Sequence, residues 1–350
     1  MSAAPAIEVL KPGLLTSVQD QGRPGRAALA LSRGGAADPR AMALANALVG
    51  NATGAAGLEL TGPGPMLRVE ADAWIACVGA RHRCRVTRAD EGGAGVALPA
   101  NRPVFVPAGA TLRWQAPEAG WRSWLAIAGG LALPEVLGSR SGHLAAGIGP
   151  ARLAAGDRLA LAADAAALAR SRSAAVLRRD DPAAGRPWPS WHLPDGLPPT
   201  WPEIELPVLA GRHFGLLSAA ARAALLDTEW TVGAQSNRQG LRLEGAPLDT
   251  RGLPQLASEP VAFGTVQLPP AGLPVVLLVE HQTTGGYPRV LEAASAAGPL
   301  LAQAAPGCRV RFRLVELDEA DRLAYRLAVE HRQRVAGVRT TCGHPFDGDS

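Results

Sequence analysis

The chain has 350 residues, a formal net charge of +4 and 47% apolar residues, enough for two domains each with its own core and too apolar for a disordered chain. Its basic residues are scattered and almost all arginine, with Lys11 the only lysine. That excludes a Walker A loop on this chain and leaves no second lysine for a covalent carrier or for Schiff-base chemistry. The densest basic run, Arg81 to Arg88, alternates; in a strand this puts Arg81, Arg83 and Arg85 on one side, a solvated or anion-facing edge rather than a groove reader, so no nucleic-acid partner is expected. Cys77, Cys84, Cys308 and Cys342 lack CxxC spacing, which fits reduced thiols, with Cys342 and His344 an incidental pair and no metal site. No signal-peptide pattern precedes the first strand-like run, and no apolar stretch approaches the ~18 residues of a membrane helix, so the expectation is a soluble, cytoplasmic protein with no membrane partner.

Forty glycines and thirty prolines cut the chain into many short apolar runs, the pattern of a mainly β, β-rich α+β protein. In chain order, Ile7–Leu10 and Leu14–Val18 read as strands. A helix follows with Asp38 as N-cap, Pro39 at its first position, an apolar face of Met42, Ala45, Leu48 and Val49, and Gly50 at its end. Strand-like runs continue at Leu58–Leu60, Met66–Val69, Trp74–Val78, Val104–Val106 and Trp124–Ala128. Residues 161–203 break the pattern: an Ala-rich, Arg-dotted stretch gives way to a Pro-rich one with Trp188, Trp191 and Trp201, read as a connector that rests its rings on a neighbour. After it come a strand from Ile204 to Leu209, a helix from Ser218 to Leu226, a buried strand from Leu273 to Val279, and an amphipathic helix over 318–335 capped by Asp318, with Ala320, Leu323, Leu327 and Val335 as its stripe. The expected organisation is an N-terminal β-rich domain (1–160), the connector (161–203), a C-terminal domain (204–335) and a mobile tail (336–350).

The strongest concentration of site chemistry is Gln282-Thr-Thr-Gly-Gly-Tyr-Pro288, directly after the buried run. Gly285 and Gly286 permit positive φ and close approach to the backbone, and Pro288 stiffens the loop. Gln282, Thr283, Thr284 and Tyr287 bring amide and hydroxyl groups suited to a small amide, a carboxylate or a developing oxyanion. An ordinary tight turn is the competing reading. A second polar cluster, Gln235-Ser-Asn-Arg238, lies between two strand-like runs, and a third is Ala257-Ser-Glu259, shortly before Gly264-Thr-Val-Gln-Leu-Pro-Pro270. The second cluster could equally be a turn whose side chains satisfy their own backbone.

Taken together, Gln282–Pro288, Gln235–Arg238 with Gly240, Gly264–Pro270 and Pro12-Gly-Leu-Leu-Thr-Ser-Val-Gln-Asp20, Gly34-Gly-Ala-Ala-Asp38, Leu44-Ala-Asn-Ala-Leu-Val-Gly-Asn51, Leu58-Glu59, Ala128-Gly-Gly130 and Leu137-Gly-Ser-Arg-Ser141 resemble, in order and spacing over residues 7–315, the biotin-dependent carboxyltransferase family. That family includes the C component of 5-oxoprolinase, allophanate hydrolase subunit 2, the carboxyltransferase part of urea carboxylase, and an antagonist of a sporulation-kinase inhibitor. The resemblance implies two domains with cyclophilin-like β-barrels and a composite site completed by a partner homologous to the B component of 5-oxoprolinase, itself kinase-inhibitor-like. In a 5-oxoprolinase complex a homologue of the A component joins them and ATP drives the opening of 5-oxoproline to glutamate; ATP then acts at the level of the complex, and this chain carries no covalent cofactor. The alternatives are a carboxyltransferase that uses biotin on a separate carrier to act on urea or a related amide, and a non-enzymatic regulator. Carried over residue by residue, the resemblance implies Thr283, Thr284, Tyr287 and Asn237 as catalytic, and Gln235, Ser236, Arg238, Gln267, Gln282, Gly285, Gly286, Asp38, Asn46 and Arg140 as substrate-binding. Arg238 would pair with a carboxylate-like group and Thr283 and Thr284 would hold a carbonyl oxygen. Asn237 replaces the family's usual Asp, and an amide cannot serve as a general base; His281 stands where Arg is usual, and the segment after Ser141 is abbreviated. Helix capping for Asp38, a satisfied buried carbonyl for Asn46 and turn formation for Arg140 and Ser141 are the structural readings that compete.

Overall fold

The computed structural model describes residues 6–88, 95–162, 188–196, 201–254 and 256–343. Most of the expected connector (163–187 and 197–200) and the end of the expected tail (344–350, including His344) lie outside the described residues. The chain divides into two compact units that are discontinuous in sequence. The first comprises Met1–Gly22, Asp38–Gly196 and His331–Ser350, and the second Arg23–Ala37 and Leu197–Glu330, whereas the sequence reading drew its boundaries at 160 and 203.

Strands dominate both units, as the short apolar runs imply. In the first, one sheet has the order Arg158–Ala160, Ala6–Lys11, Met66–Val69, Thr111–Pro117, His82–Thr87, Val96–Leu98. The other runs Leu15–Gln19, Gly57–Thr61, Arg122–Ile127, Ala73–Gly79, Val104–Val106. All pairings in both are antiparallel. Ile7, Val9, Leu58, Leu60, Leu67, Ile75, Leu112, Trp114, Leu125 and Ile127 build one core, on which the half-buried Trp188 of the expected connector also packs. At the start of His82–Thr87 burial alternates, with His82 and Cys84 inside and Arg83 outside, while Arg85 is half-buried; the exposed arginines are paired, Arg83 with Glu118 and Arg81 with Asp195 at 3.1 Å.

The helix expected after Asp38 spans Pro39–Leu48, and Asp38 Oδ1 accepts from the backbone N–H groups of Arg40 (3.2 Å) and Ala41 (3.0 Å). The expected single apolar face is exceeded, because every residue from Ala41 to Leu48 is buried; small alanines let the helix be packed on all sides. Asn46 is therefore a polar group in a dry place. Its Nδ2 donates to the carbonyls of Thr53 (3.2 Å) and Ala55 (2.8 Å), and its Oδ1 accepts from Asn51 Nδ2 (3.1 Å).

The second unit is a closed barrel of seven strands: Glu203–Ala210, Arg289–Ala293, Thr265–Gln267, Val275–Leu277, Gly240–Glu244, Trp230–Val232 and Arg309–Leu314. Closure is parallel, with Glu203 facing Arg309 through to Val208 facing Leu314; closing the sheet removes its open edges. Ile204, Leu206, Val208, Leu241, Leu243, Val266, Val276, Val310 and Phe312 fill it, and Trp201 packs partly buried against them. The expected strand over 273–279 is shorter, Val275–Leu277, since Pro274 at one end cannot donate to the ladder. Ser218 caps the helix Ala219–Asp227, accepting from Ala221 N–H at 3.1 Å. The C-terminal helix runs Leu317–Cys342, longer than the expected 318–335 and into the residues read as a mobile tail. Asp318 lies in its first turn, and of the four expected stripe residues Ala320 alone is fully buried. All four cysteines are free thiols, and among the described residues no cluster of metal-ligating groups occurs and no helix is long and apolar enough to cross a membrane.

Replacing Asn46 by Ala strips a partner from each of two half-buried carbonyls. A loss of about 1–3 kcal/mol in denaturant unfolding is expected, and an unchanged midpoint would show that the carbonyls find other partners.

Candidate functional site

In the second unit, the segment 280–288 leaves the strand Val275–Leu277 and returns to the barrel at Arg289. Its entry is fixed by charge. Glu280 is 1% exposed and bonds the guanidinium Nε of Arg238, itself 3% exposed, at 2.5 Å. The Glu280 backbone N–H also donates to the Arg238 carbonyl at 2.9 Å, and Arg238 Nη2 donates to the carbonyl of Gly35 at 2.5 Å. Gly34 and Gly35 both have positive φ (62° and 79°), a pair of conformations that glycine adopts without a Cβ clash. Gly34 N–H donates to the Val279 carbonyl at 3.0 Å. The expectation that Arg238 meets a ligand carboxylate is thereby corrected: its guanidinium is buried against a protein carboxylate and braces three chain segments.

The rest of the second cluster serves its own turn. Ser236 Oγ accepts from Arg242 N–H at 3.0 Å, and Asn237 Oδ1 accepts from Gln239 N–H at 2.7 Å while the Asn237 N–H donates to the Gly240 carbonyl at 3.1 Å. This is the Asx-type local bonding open to a short amide side chain. Gln235 is exposed.

Further along, Thr284 and Gly285 form a two-residue strand against Glu259–Pro260, with Gly285 opposite Glu259 and Thr284 opposite Pro260; the Thr283 carbonyl accepts from Val261 N–H at 3.0 Å. Neither Gly285 nor Gly286 uses the positive φ that glycine permits. Glycine here keeps the backbone close to its neighbours. A Cβ at 285 would lie 2.4 Å from Gln267 Nε2, and one at 286 would lie 3.1 Å from the Leu256 carbonyl. Gln267 stands on the strand Thr265–Gln267 and is 2% exposed. Its Oε1 accepts from Gln282 Nε2 at 3.0 Å, and its Nε2 is buried with no hydrogen-bond partner among the described residues. A buried amide left without a partner is costly to the fold, about 1–3 kcal/mol, and this one lies against Gly285. Beside it, Gln282, Thr284 and Tyr287 (47% exposed) are open to solvent.

Charged groups that sequence reasoning did not assign surround this surface. Glu259 pairs with Arg289 at 2.8 Å and with Arg212 at 3.9 Å. Burial pushes the Glu292 carboxyl up, partly offset by the Thr265 hydroxyl that donates to it at 2.7 Å. His281, read only as a departure from the family, shares a 2.5 Å contact between its Nδ1 and the Gln282 carbonyl. That bond puts the ring proton on Nδ1 and leaves the Nε2 lone pair free; burial pushes its pKa down, the Gln282 carbonyl opposing. A neutral imidazole with an open lone pair therefore stands next to Gln282, where the sequence showed no base. Glu259 lay in a recognised polar cluster, but its partners are far away in sequence and no periodicity marks them.

The candidates from the first unit belong to local networks there. Asp38 caps a helix and Asn46 ties a buried turn, as above. The Arg140 N–H donates to Asp20 Oδ2 (2.6 Å), its Nε to the Leu133 carbonyl (2.9 Å), and its Nη1 pairs with Glu135 (2.8 Å). The second unit thus brings Gln267, Gln282, Thr283, Thr284, Gly285, Gly286 and Tyr287 into one region, with Arg238 beneath its entry.

Comparison with known proteins agrees with the motifs. A model of the carboxyltransferase domain, subdomains A and B, matches residues 29–314. The chain is 33% identical to the C component of the 5-oxoprolinase of Escherichia coli (strain K12), over 90% of this chain and 93% of that one. It is 32% identical to a putative urea carboxylase of Emericella nidulans over 69% of this chain but 18% of that protein. The crystal structure of Kluyveromyces lactis urea carboxylase superposes with a TM-score of 0.79 at 24% identity, covering all of this chain and 30% of that one.

Replacing Arg238 by Ala strands Glu280 in a dry environment and should lower unfolding stability by about 3–5 kcal/mol. A loss below about 1 kcal/mol, the range of exposed pairs, would refute the bracing role.

Proposed function

The chain belongs to the carboxyltransferase domain family, and from that premise we propose that it is the small-amide-binding member of an ATP-dependent 5-oxoprolinase-like complex, cytoplasmic and completed by homologues of the A and B components. The observation that carries this reading is the Gln267–Gln282 pair. Gln267 Nε2 offers two unengaged N–H donors under Gly285, and the Oε1 of the exposed Gln282 is an acceptor at the same place. A lactam or urea presents the complement: a carbonyl oxygen that accepts and an N–H that donates.

In ring opening, negative charge grows on the carbonyl oxygen as the amide carbon is attacked or as the amide oxygen is activated. A fixed donor in a dry site stabilises that charge more than a solvated one does. Gln267 Nε2 is such a donor, held by its bond to Gln282 and by burial. Gln282 Oε1 orients the amide N–H, and the Thr283 and Thr284 hydroxyls and the Tyr287 phenol supply further donors at the rim. His281 Nε2, its lone pair not engaged by the bond at Nδ1, is the proton acceptor in the role that Asn237 cannot fill. ATP supplies activation of the amide elsewhere in the complex. Lys11 being the only lysine, the residues present do not form a P-loop, and no step at this site is routed through the nucleotide. The similarity to urea carboxylase supports a second reading, transfer of a carboxyl group from biotin on a separate carrier to an amide nitrogen, which the same donor and acceptor would orient.

The chain mixed with its A-component and B-component partners is expected to release glutamate from 5-oxoproline only with ATP present. Absence of release, together with avidin-sensitive carboxylation of urea, would replace the first reading by the second. Gly285→Ala puts a methyl group onto Gln267 Nε2 without a backbone conflict and should lower kcat/KM by about tenfold or more, about 1.4 kcal/mol of transition-state stabilisation; wild-type kinetics would remove Gln267 from the site.

A further inference from the structure

We infer that His213 is a positioning residue that holds the 282–288 segment in place through the backbone of Arg289, and does so only while its imidazole is neutral. The strand Arg289–Ala293 joins Thr265–Gln267 through a bulge: Val266 faces Leu291, but Gln267 faces Arg289, so Val290 is the extra residue. His213 clasps the residue at this irregular start from both sides of its peptide. The His213 N–H donates to the Arg289 carbonyl at 2.9 Å, and the Arg289 N–H donates to His213 Nδ1 at 3.0 Å. The close approach depends on Gly211, where a Cβ would lie 2.5 Å from the Arg289 carbonyl oxygen.

Arg289 passes the constraint on. Its Nη2 bonds Glu259 at 2.8 Å and its Nη1 the Pro260 carbonyl at 3.2 Å, and Glu259–Pro260 is the strand to which Thr284–Gly285 is paired. On the other side, the Pro288 carbonyl accepts from Leu268 N–H at 2.9 Å, next to Gln267. The clasp thus sets both the distal end of the segment and the short ribbon that places Gly285 over Gln267.

Nδ1 is an acceptor in this geometry, which assigns the ring proton to Nε2. A second proton would land on Nδ1, facing the Arg289 N–H, and the bond would be lost. The charged groups facing the ring are Glu259, Arg289 and Arg212; burial is the largest influence and lowers the pKa, Glu259 opposes it, and the two arginines add to it. Since the folded value lies below the unfolded one, about 6.5, the clasp is complete above that pH and is lost as pH falls through the lowered folded value.

The test compares wild type with His213→Asn, whose Oδ1 occupies the Nδ1 position as a non-titrating acceptor, and His213→Leu, which has no acceptor. Hydrogen exchange of the isolated chain, corrected for the intrinsic pH effect, is read on peptides covering 259–262 and 282–289. Wild type should lose protection there as pH is lowered from 7 through the folded value, by about two- to tenfold, the factor set by one hydrogen bond, while the Asn variant stays protected throughout and the Leu variant is fast throughout. An Asn variant with the wild-type pH response, or a folded Leu variant as protected as wild type at pH 7, overturns the inference. If the Leu variant does not fold, the wild-type and Asn comparison decides alone. In the complex, whose assay rests on the proposed 5-oxoprolinase reading, the Asn variant should flatten the acid limb of kcat/KM. Failure of that reading would leave no activity in any variant but would not alter the exchange result.

Discussion

The ion pair between Arg238 and Glu280 is the constraint on which the candidate site rests. Both groups are withdrawn from water, an arrangement in which desolvation is severe and stability is retained only with close geometry and further hydrogen bonds. The geometry is supplied by a backbone bond parallel to the side-chain bond and by the Gly35 carbonyl. The consequence is positional. Residues 23–37, the turn at 235–238 and the start of the 280–288 segment converge on one guanidinium, although they are far apart in the chain, and Gln282 starts two residues from that fixed point.

From there the barrel does the rest. Gln267 stands on a strand with its side chain buried, and Gln282 secures its carbonyl oxygen. Gly285 is kept in register over it by pairing with Glu259. The polar groups of the site are thus mounted on strands and on a paired ribbon, which holds donors in one place at low reorganisation cost, the property that electrostatic stabilisation of a developing oxyanion requires. At the far end, the His213 clasp on Arg289 performs for Pro288 what Glu280 performs for Gln282.

The sequence made much of this legible, and its misses have physical reasons. The apolar runs and the density of glycine and proline announced a β-rich fold, and the Asp38 cap was read correctly because capping is a local interaction between neighbours in the chain; Asp318, expected as a cap, lies instead in the first turn of its helix. The motif at 282–288 stood out by composition. Its glycines were read as permitting positive φ and close approach; the positive φ is not used, and the close approach is made by Gln267, beside which Gly285 lacks a Cβ; a close approach between residues eighteen apart has no local signature. Arg238 was read as a ligand group because a polar cluster looks the same whether its charge meets solvent, a substrate or a buried carboxylate.

By itself, then, the chain's order of residues determined its strands, its capped helices, its lack of a lysine-based nucleotide loop and, through dispersed motifs, its family, since all of these depend on residue type and short spacing. What only the tertiary structure decided is which polar groups are spent on the fold and which remain open. Arg238, Asn237, Asn46 and Arg140 have protein partners, while Gln267 Nε2 has none among the described residues and lies beneath a glycine. The reason is that a hydrogen-bonding side chain carries no mark of its partner. Whether it binds the protein or a ligand is settled by distances across strands that meet only once the barrel has closed.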